Sequence, residues 1–134
     1  MRAGCLAADL GDVTATIWAS SIDDNPLVDS SRILLTHLTD VQNTGTTYED
    51  DSMCVLTAWG GLPHLMRNGK AKVALSLLPG KFDVFALGGD GSRRRTVPSA
   101  FKNGRLVFVA DIGADNAAAT YMYEIVRHGR GFER

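Results

Sequence analysis

The second half of the chain decides the fold, because short apolar segments alternate there with strong turn signals. These segments are KVALSLL (72–78), KFDVFAL (81–87), RLVFVADI (105–112) and TYMYEIV (120–126). Pro79-Gly80 follows the first segment, a GGDG sequence follows the second, and Asn103-Gly104 precedes the third. Segments of this length that are rich in β-branched and aromatic residues and bounded by turns predict a consecutive antiparallel β meander.

The first half of the chain predicts further strands. Residues 12–20 alternate between apolar and polar side chains, which predicts a half-buried strand. Residues 31–39 are apolar on both faces, so we expect a central strand there. Residues 40–52 are polar and acidic and predict a long loop, followed by a short strand over 53–58. Without a convincing amphipathic helix, the chain predicts an all-β fold, a two-layer antiparallel β-sandwich of about seven to nine strands.

Size and composition limit the class of protein. A chain of 134 residues suits a single domain over 1–134, with an ordered core over about residues 12–127 and frayed ends. The net charge of −1 argues against a general nucleic-acid or anionic-membrane binder. No apolar segment approaches the roughly 20 residues of a membrane span. We expect no signal peptide, because only four residues precede Cys5, and the compartment stays open.

No catalytic or metal-binding constellation emerges from the sequence. The histidines are too dispersed for ligand spacing, so no metal or cofactor is predicted; they are His37, His64 and His128. We expect the ring of His37 to bond a main-chain group inside a central strand. The glutamates are also scattered, which disfavours a hydrolytic carboxylate pair; they are Glu49, Glu124 and Glu133. Cys54 is expected as a buried free thiol, and whether it pairs with Cys5 is open.

Several longer segments carry a family resemblance. They are ILLTHLTDVQNTG (33–45), WGGLPHLMRNGKAKVAL (59–75), PGKFDVFAL (79–87), Asp90-Gly91 and YEIVR (123–127). Together they resemble the C-terminal β-sandwich domain of large bacterial glycoside hydrolases of the (β/α)8-barrel kind, over about residues 13–127. The resemblance implies an accessory domain that packs against a catalytic barrel. A barrel needs about 250 residues and carries the family's catalytic groups, so we expect this chain alone to hydrolyse no glycoside.

Two functional hypotheses follow, with a small independent hydrolase ranked last. The first is a non-catalytic accessory domain that buries an apolar face against a glycoside hydrolase catalytic domain or against a second copy of itself. Its candidate interface residues are those not needed for strand alternation, namely Trp59, Leu62, Pro63, Leu65 and Met66. The alternative is a carbohydrate-binding module whose aromatic side chains stack on sugar rings. Its candidate stacking residues are Trp18, Tyr48 and Trp59.

Overall fold

The computed structural model describes residues 2–129, with side chains from residue 4 onward. The strands are β1 (Arg2–Ala3), β2 (Leu6–Asp9), β3 (Thr16–Ser21), β4 (Arg32–Leu38), β5 (Val41–Thr44), β6 (Thr47–Tyr48), β7 (Leu56–Ala58), β8 (Gly61–Met66), β9 (Lys70–Ser76), β10 (Lys81–Leu87), β11 (Arg93–Val97), β12 (Ser99–Lys102), β13 (Arg105–Asp111) and β14 (Met122–His128). A single 3-10 turn over Leu27–Asp29 lies between β3 and β4 in this part of the chain.

Two five-stranded antiparallel sheets form the body of the protein, which we call the sandwich body. Sheet A has the order β1-β2-β9-β13-β12, and sheet B has the order β11-β10-β14-β4-β3. Aromatic pairs join the two layers, with ring centroids 5.6 Å apart for Phe108 and Tyr123 and 5.2 Å apart for Phe82 and Phe101. The all-β sandwich prediction is therefore confirmed, although the two sheets contain more strands than expected.

Alternation of side chains sets which face of each strand enters the core. In β13, the buried Leu106, Phe108 and Ala110 alternate with exposed residues. The neighbouring strand β9 follows the same rule, and its Val73 lies directly opposite Phe108. A shift of one residue would turn these apolar sets toward water, so the pattern also fixes the register. The expected central position of the strand over residues 31–39 is confirmed, because β4 lies between β14 and β3.

The strand order is not a consecutive meander. Hairpins join β10 to β11 and β12 to β13, and the Asn103-Gly104 turn of the second hairpin has positive φ angles of 53° and 75°. The other links in this half cross between layers, since β9 belongs to sheet A and β10 to sheet B. A local turn signal shows that the chain reverses, but only packing of the two layers decides which sheet receives the next strand.

Both ends of the sandwich body are held by contacts with other parts of the fold. Strand β2 pairs with β9, so it belongs to sheet A although it precedes the expected start of the core. At the other end, Arg127 is buried and pairs with Asp29 at 3.2 Å. The same guanidinium donates hydrogen bonds to the carbonyl groups of Val28 and Leu78. A buried arginine with these partners fastens the last strand to two loops.

Candidate interaction arm

Residues 41–66 form a long hairpin between β4 and β9, which we call the hairpin arm. In it β5 pairs only with β8, and β6 pairs only with β7. Bulges interrupt both ladders, and no residue between 41 and 66 is buried. The polar segment predicted as a loop over residues 40–52 is thus the outgoing limb of this arm. Its main chain pairs with the returning limb through two bulged ladders, so these strands form without a core beneath them.

The root of the hairpin arm is fastened by polar contacts. The amide of Arg67 donates a 2.8 Å hydrogen bond to the carbonyl of Asp40, and their side chains form an ion pair at 3.5 Å. The hydroxyl of Thr39 donates to the carbonyl of Arg67. These contacts bring the two limbs together where they leave the sandwich body. They hold the start of the arm in place while leaving its length exposed.

The backbone around Trp59 is held by donors from the opposite limb. Its carbonyl accepts hydrogen bonds from Asn43 Nδ2 at 3.1 Å and from Thr46 Oγ1 at 3.0 Å. The next residue, Gly60, has a φ of +68°, and a Cβ there would lie 2.3 Å from the carbonyl oxygen of Thr44. Only glycine fits this close approach of the two limbs. The main chain that carries the indole is therefore fixed by hydrogen bonds and by close packing.

Polar pairs continue along the limb that follows Trp59. His64 Nδ1 lies 2.6 Å from Asn43 Oδ1, and Thr44 donates a 2.7 Å hydrogen bond to the carbonyl of Pro63. The peptide bond between Leu62 and Pro63 is cis. His64 is thus part of the arm's internal hydrogen bonding, with an amide oxygen as its partner.

The candidate interface residues lie together on one limb of the arm. All residues from 59 to 65 are exposed, and Met66 is half-buried. Trp59 is 79% exposed and Leu62 is 77% exposed, while Pro63 and Leu65 are exposed as well. Three further apolar side chains of the arm are also exposed, and sequence reasoning missed them: Val41, Met53 and Val55. Val41 was hidden in the predicted loop, and the other two were assigned to a predicted strand.

The hairpin arm is acidic as well as apolar. Between residues 41 and 66 it carries Glu49, Asp50 and Asp51 and no lysine or arginine. Within the described residues none of the three acids forms an ion pair with a basic side chain. Hydrogen bonds from the side chain and the amide of Ser52 lower the pKa of Asp50 below its ordinary value. The far end of the arm therefore carries negative charge at neutral pH.

The candidate stacking residues are not brought together. Trp18 lies in β3 at the edge of sheet B and is 42% exposed, opposite Thr36 of the neighbouring strand. Tyr48 is half-buried in β6, and Trp59 follows β7 in the same arm. No ring contact between any two of them occurs in the described part of the chain. A flat platform built from several aromatic rings is therefore absent from these residues.

The remaining candidates for catalysis or metal binding, namely the histidines, acids and cysteines, do not form a common site in the described residues. His37 is buried and burial lowers its pKa, an effect that the charge of Asp111 partly opposes. Contrary to expectation, its Nδ1 has no hydrogen-bond partner among the described residues. Likewise, residues 2–129 contain no group of three or more His, Cys, Asp or Glu side chains arranged to hold a metal ion. The two cysteines are free, and Cys54 is exposed where a buried thiol was expected.

The glutamates do not converge on a cleft. Glu124 lies in β14 with its side chain 6% exposed, and it bonds Arg32 at 2.8 Å and Arg93 at 2.5 Å. Burial alone would raise the pKa of Glu124, but hydrogen bonds from the two arginines outweigh that effect and lower it. Glu49 lies on the arm, and Glu133 lies outside the described residues. The Arg-Glu-Arg cluster links β11, β14 and β4 and therefore spans four strands of sheet B.

Comparison of the chain with protein-family models, with curated proteins and with solved structures finds no match. The part of the chain that the structure describes contains no helix long and apolar enough to cross a membrane.

Proposed function

We propose that this chain is a non-catalytic accessory β-sandwich domain that packs against a partner through its hairpin arm. One observation carries the proposal: an internally bonded arm holds Trp59, Leu62 and Leu65 in solvent. Contiguous exposed apolar side chains commonly mark protein interfaces. Tryptophan is also enriched among the residues that dominate binding energy. A fixed backbone further reduces the conformational entropy lost when such a surface is covered.

The partner we propose is the catalytic barrel of a glycoside hydrolase, or a second copy of this chain where no barrel is present. The resemblance to the C-terminal sandwich of such bacterial enzymes supports the barrel. In this arrangement the chemistry belongs to the partner, and the sandwich contributes binding surface. The same assignment predicts that the purified chain releases no product from aryl-glycosides, and steady turnover by the pure protein would contradict it.

The test compares two double variants of matched composition. Trp59→Ser with Leu62→Ser removes a tryptophan and an aliphatic side chain from the arm. Trp18→Ser with Ile22→Ser removes the same two kinds of exposed side chain from the sandwich body. Light scattering measures self-association. A pull-down with a glycoside hydrolase barrel that lacks its own C-terminal sandwich measures partner binding.

We expect the wild-type chain to dimerise or to bind the barrel. The arm variant loses that association by about tenfold or more, since hot-spot truncations cost about 2 kcal/mol or more. The body variant keeps the association, and thermal melts check that both variants fold. A wild-type chain that stays monomeric and ignores the barrel would refute the proposal. Equal loss in both variants would place the interface outside the arm.

Carbohydrate binding is the second candidate, and the exposure of Trp59 on a fixed backbone favours it. A single indole face stacks on one sugar ring, which supports weak and broad recognition. Affinity-gel retardation on a panel of polysaccharides separates the two functions. Retardation that is abolished by Trp59→Ala would favour the sugar. Unchanged migration on every gel would remove this candidate and leave the protein interface.

A further inference from the structure

A cavity of about 560 Å3, widely open to solvent, lies at the corner where the chain passes from β11 in sheet B to β12 in sheet A. Strand β12 pairs with β13 only as far as Phe108, so the last residues of β13 border open space. The volume falls within the roughly 300–1,000 Å3 of small-molecule sites. Most of the lining is apolar, and these residues are Val97, Pro98, Ala100, Val107, Phe108 and Val109.

One cation, Arg95, enters this cavity from the interior side. Arg95 lies opposite Ala86 on β10, and Val97 lies opposite Val84, so both side chains follow the buried face of sheet B. Arg95 is half-buried and lines the cavity. Its Nε is fully buried and has no hydrogen-bond partner among the described residues. A buried donor without a partner is costly and uncommon in folded proteins.

The polar groups around Arg95 are satisfied by other partners. The hydroxyl of Tyr123 accepts a 3.0 Å hydrogen bond from the amide of Asp111, which caps the free edge of β13. Asp111 also lines the cavity; its carboxylate accepts a hydrogen bond from the amide of Gly113 at 3.1 Å and pairs with Lys70 at 3.8 Å. No side-chain hydrogen bond or ion pair of Arg95 is found within residues 2–129. The guanidinium of Arg95 therefore has no hydrogen-bond or ion-pair partner among these residues.

Arg127 provides a comparison, because its Nε is likewise buried without a hydrogen-bond partner among the described residues, whereas its two terminal nitrogens are bonded. In the part of the chain with described side chains, Arg95 is half-buried and Arg127 is buried, while the other arginines are exposed. Arg127 is compensated by Asp29 and by two carbonyl groups. Arg95 has a cavity in place of such partners. A guanidinium at the end of an apolar cavity is suited to a carboxylate, which it binds through two parallel hydrogen bonds.

We propose that this corner cavity binds a small organic carboxylate with an apolar body. Its carboxylate lies on the guanidinium of Arg95, and its hydrocarbon part contacts Val97, Val107 and Val109. The cavity lies in the sandwich body, separate from the hairpin arm, so the proposal is independent of the proposed interface.

Benzoate is the probe, and benzyl alcohol is the neutral ligand of similar size. Binding is followed by amide chemical shifts during titration at constant ionic strength. We expect saturable benzoate shifts at Val107, Val109 and the neighbouring Ala100. Benzyl alcohol binds at least about tenfold more weakly, because a hydrogen bond to a charged group contributes about 1.5–3 kcal/mol.

Two arginine variants in one strand provide the control. Arg95→Met removes the cation from the cavity, whereas Arg94→Met removes an exposed neighbour that does not line it. We expect Arg95→Met to abolish the preference for benzoate, Arg94→Met to preserve it and Arg95→Lys to retain part of it. Chemical shifts outside the cavity show whether each variant is folded. Equal binding of benzoate and benzyl alcohol, equal loss in both Met variants, or no saturable shift in the wild type would overturn the proposal.

Discussion

The sandwich body and the hairpin arm are both antiparallel β structure, yet different interactions hold them together. The body buries an apolar cluster between two sheets, including Leu35, Leu75 and Tyr123. The arm buries no residue and depends on its ladder and on side-chain hydrogen bonds. Strand pairing alone therefore does not identify a structural core. The body is stabilised by removal of apolar surface from water, while the arm keeps its apolar surface available.

An isolated two-stranded ribbon is marginally stable in water. The hairpin arm is stabilised further by the polar contacts at its root and by the close approach of its two limbs at Gly60. Exposed tryptophan and leucine side chains add little to this stability. Their presence on an ordered arm is better explained by a partner that covers them, as we propose.

The largest contrast is expected between equivalent leucine substitutions in the two regions. Leu75→Ala removes a fully buried side chain from the body and should cost about 2–5 kcal/mol of unfolding free energy. Leu62→Ala on the arm should change it by no more than about 0.5 kcal/mol, because the side chain already contacts water. Urea denaturation measures both. Similar losses in the two variants would show that the arm contributes to the core.

A second contrast uses neighbouring glycines within the arm. Gly60→Ala should open the arm locally by about 1–3 kcal/mol, because its positive φ and its contact with Thr44 exclude a Cβ. Gly61→Ala is the control, since a Cβ there meets nothing within 4 Å. Amide exchange should accelerate in residues 41–66 of the first variant while the sandwich body stays protected. Loss of protection throughout the body would mean that the arm and the body unfold as one unit.

The smallest expected effect on the free energy of unfolding comes from neutralising an acid, either one that is paired with arginines or one that is not. Glu124→Gln removes a charge that bonds two arginines, and we expect a loss of about 1 kcal/mol at neutral pH because both partners are largely exposed. Glu49→Gln on the arm should have almost no effect. The folded-state pKa of Glu124 lies below its ordinary value of 4.5, so its contribution is present above that pH and is lost as pH falls through the lowered pKa.

Chemical denaturation of the wild type and both variants across this pH range checks the prediction. The difference between wild type and Glu124→Gln should shrink in acid, while the Glu49→Gln curve follows the wild type throughout. A Glu124→Gln loss that is constant with pH would indicate a packing defect instead of a lost charge interaction.

The sequence predicted the β-sandwich correctly, but it predicted the wrong connections between its strands. The strands β4, β9 and β13 could be predicted because each is rich in apolar side chains and at least one face of each meets the core. The crossing from β9 to β10 could not be predicted, because a turn at Pro79-Gly80 is compatible with a next strand in the same sheet or in the opposite sheet. Strand β5 was missed for another reason. Its polar residues are paired across a hairpin that has no buried face, so they leave no alternating pattern.

Part of the candidate site could be predicted from the sequence, and part of it could not. Trp59, Leu62 and Leu65 could be named because they are apolar residues outside any strand alternation. Their exposure on one arm depends on the bulged pairing of β5 with β8, which forms between residues distant in sequence. Arg95 lies in a basic run that the sequence marks only as polar. Its lack of a partner is visible only where β11, β13 and the corner cavity meet.

By itself, the order of side chains determined that this chain forms β-strands and which face of most strands turns inward, because water excludes apolar groups wherever the alternation occurs. The tertiary structure alone decided which sheet each strand joins, which apolar residues remain outside and which charge lacks a partner. Those outcomes depend on contacts between distant segments, and such contacts leave no periodic trace in the chain.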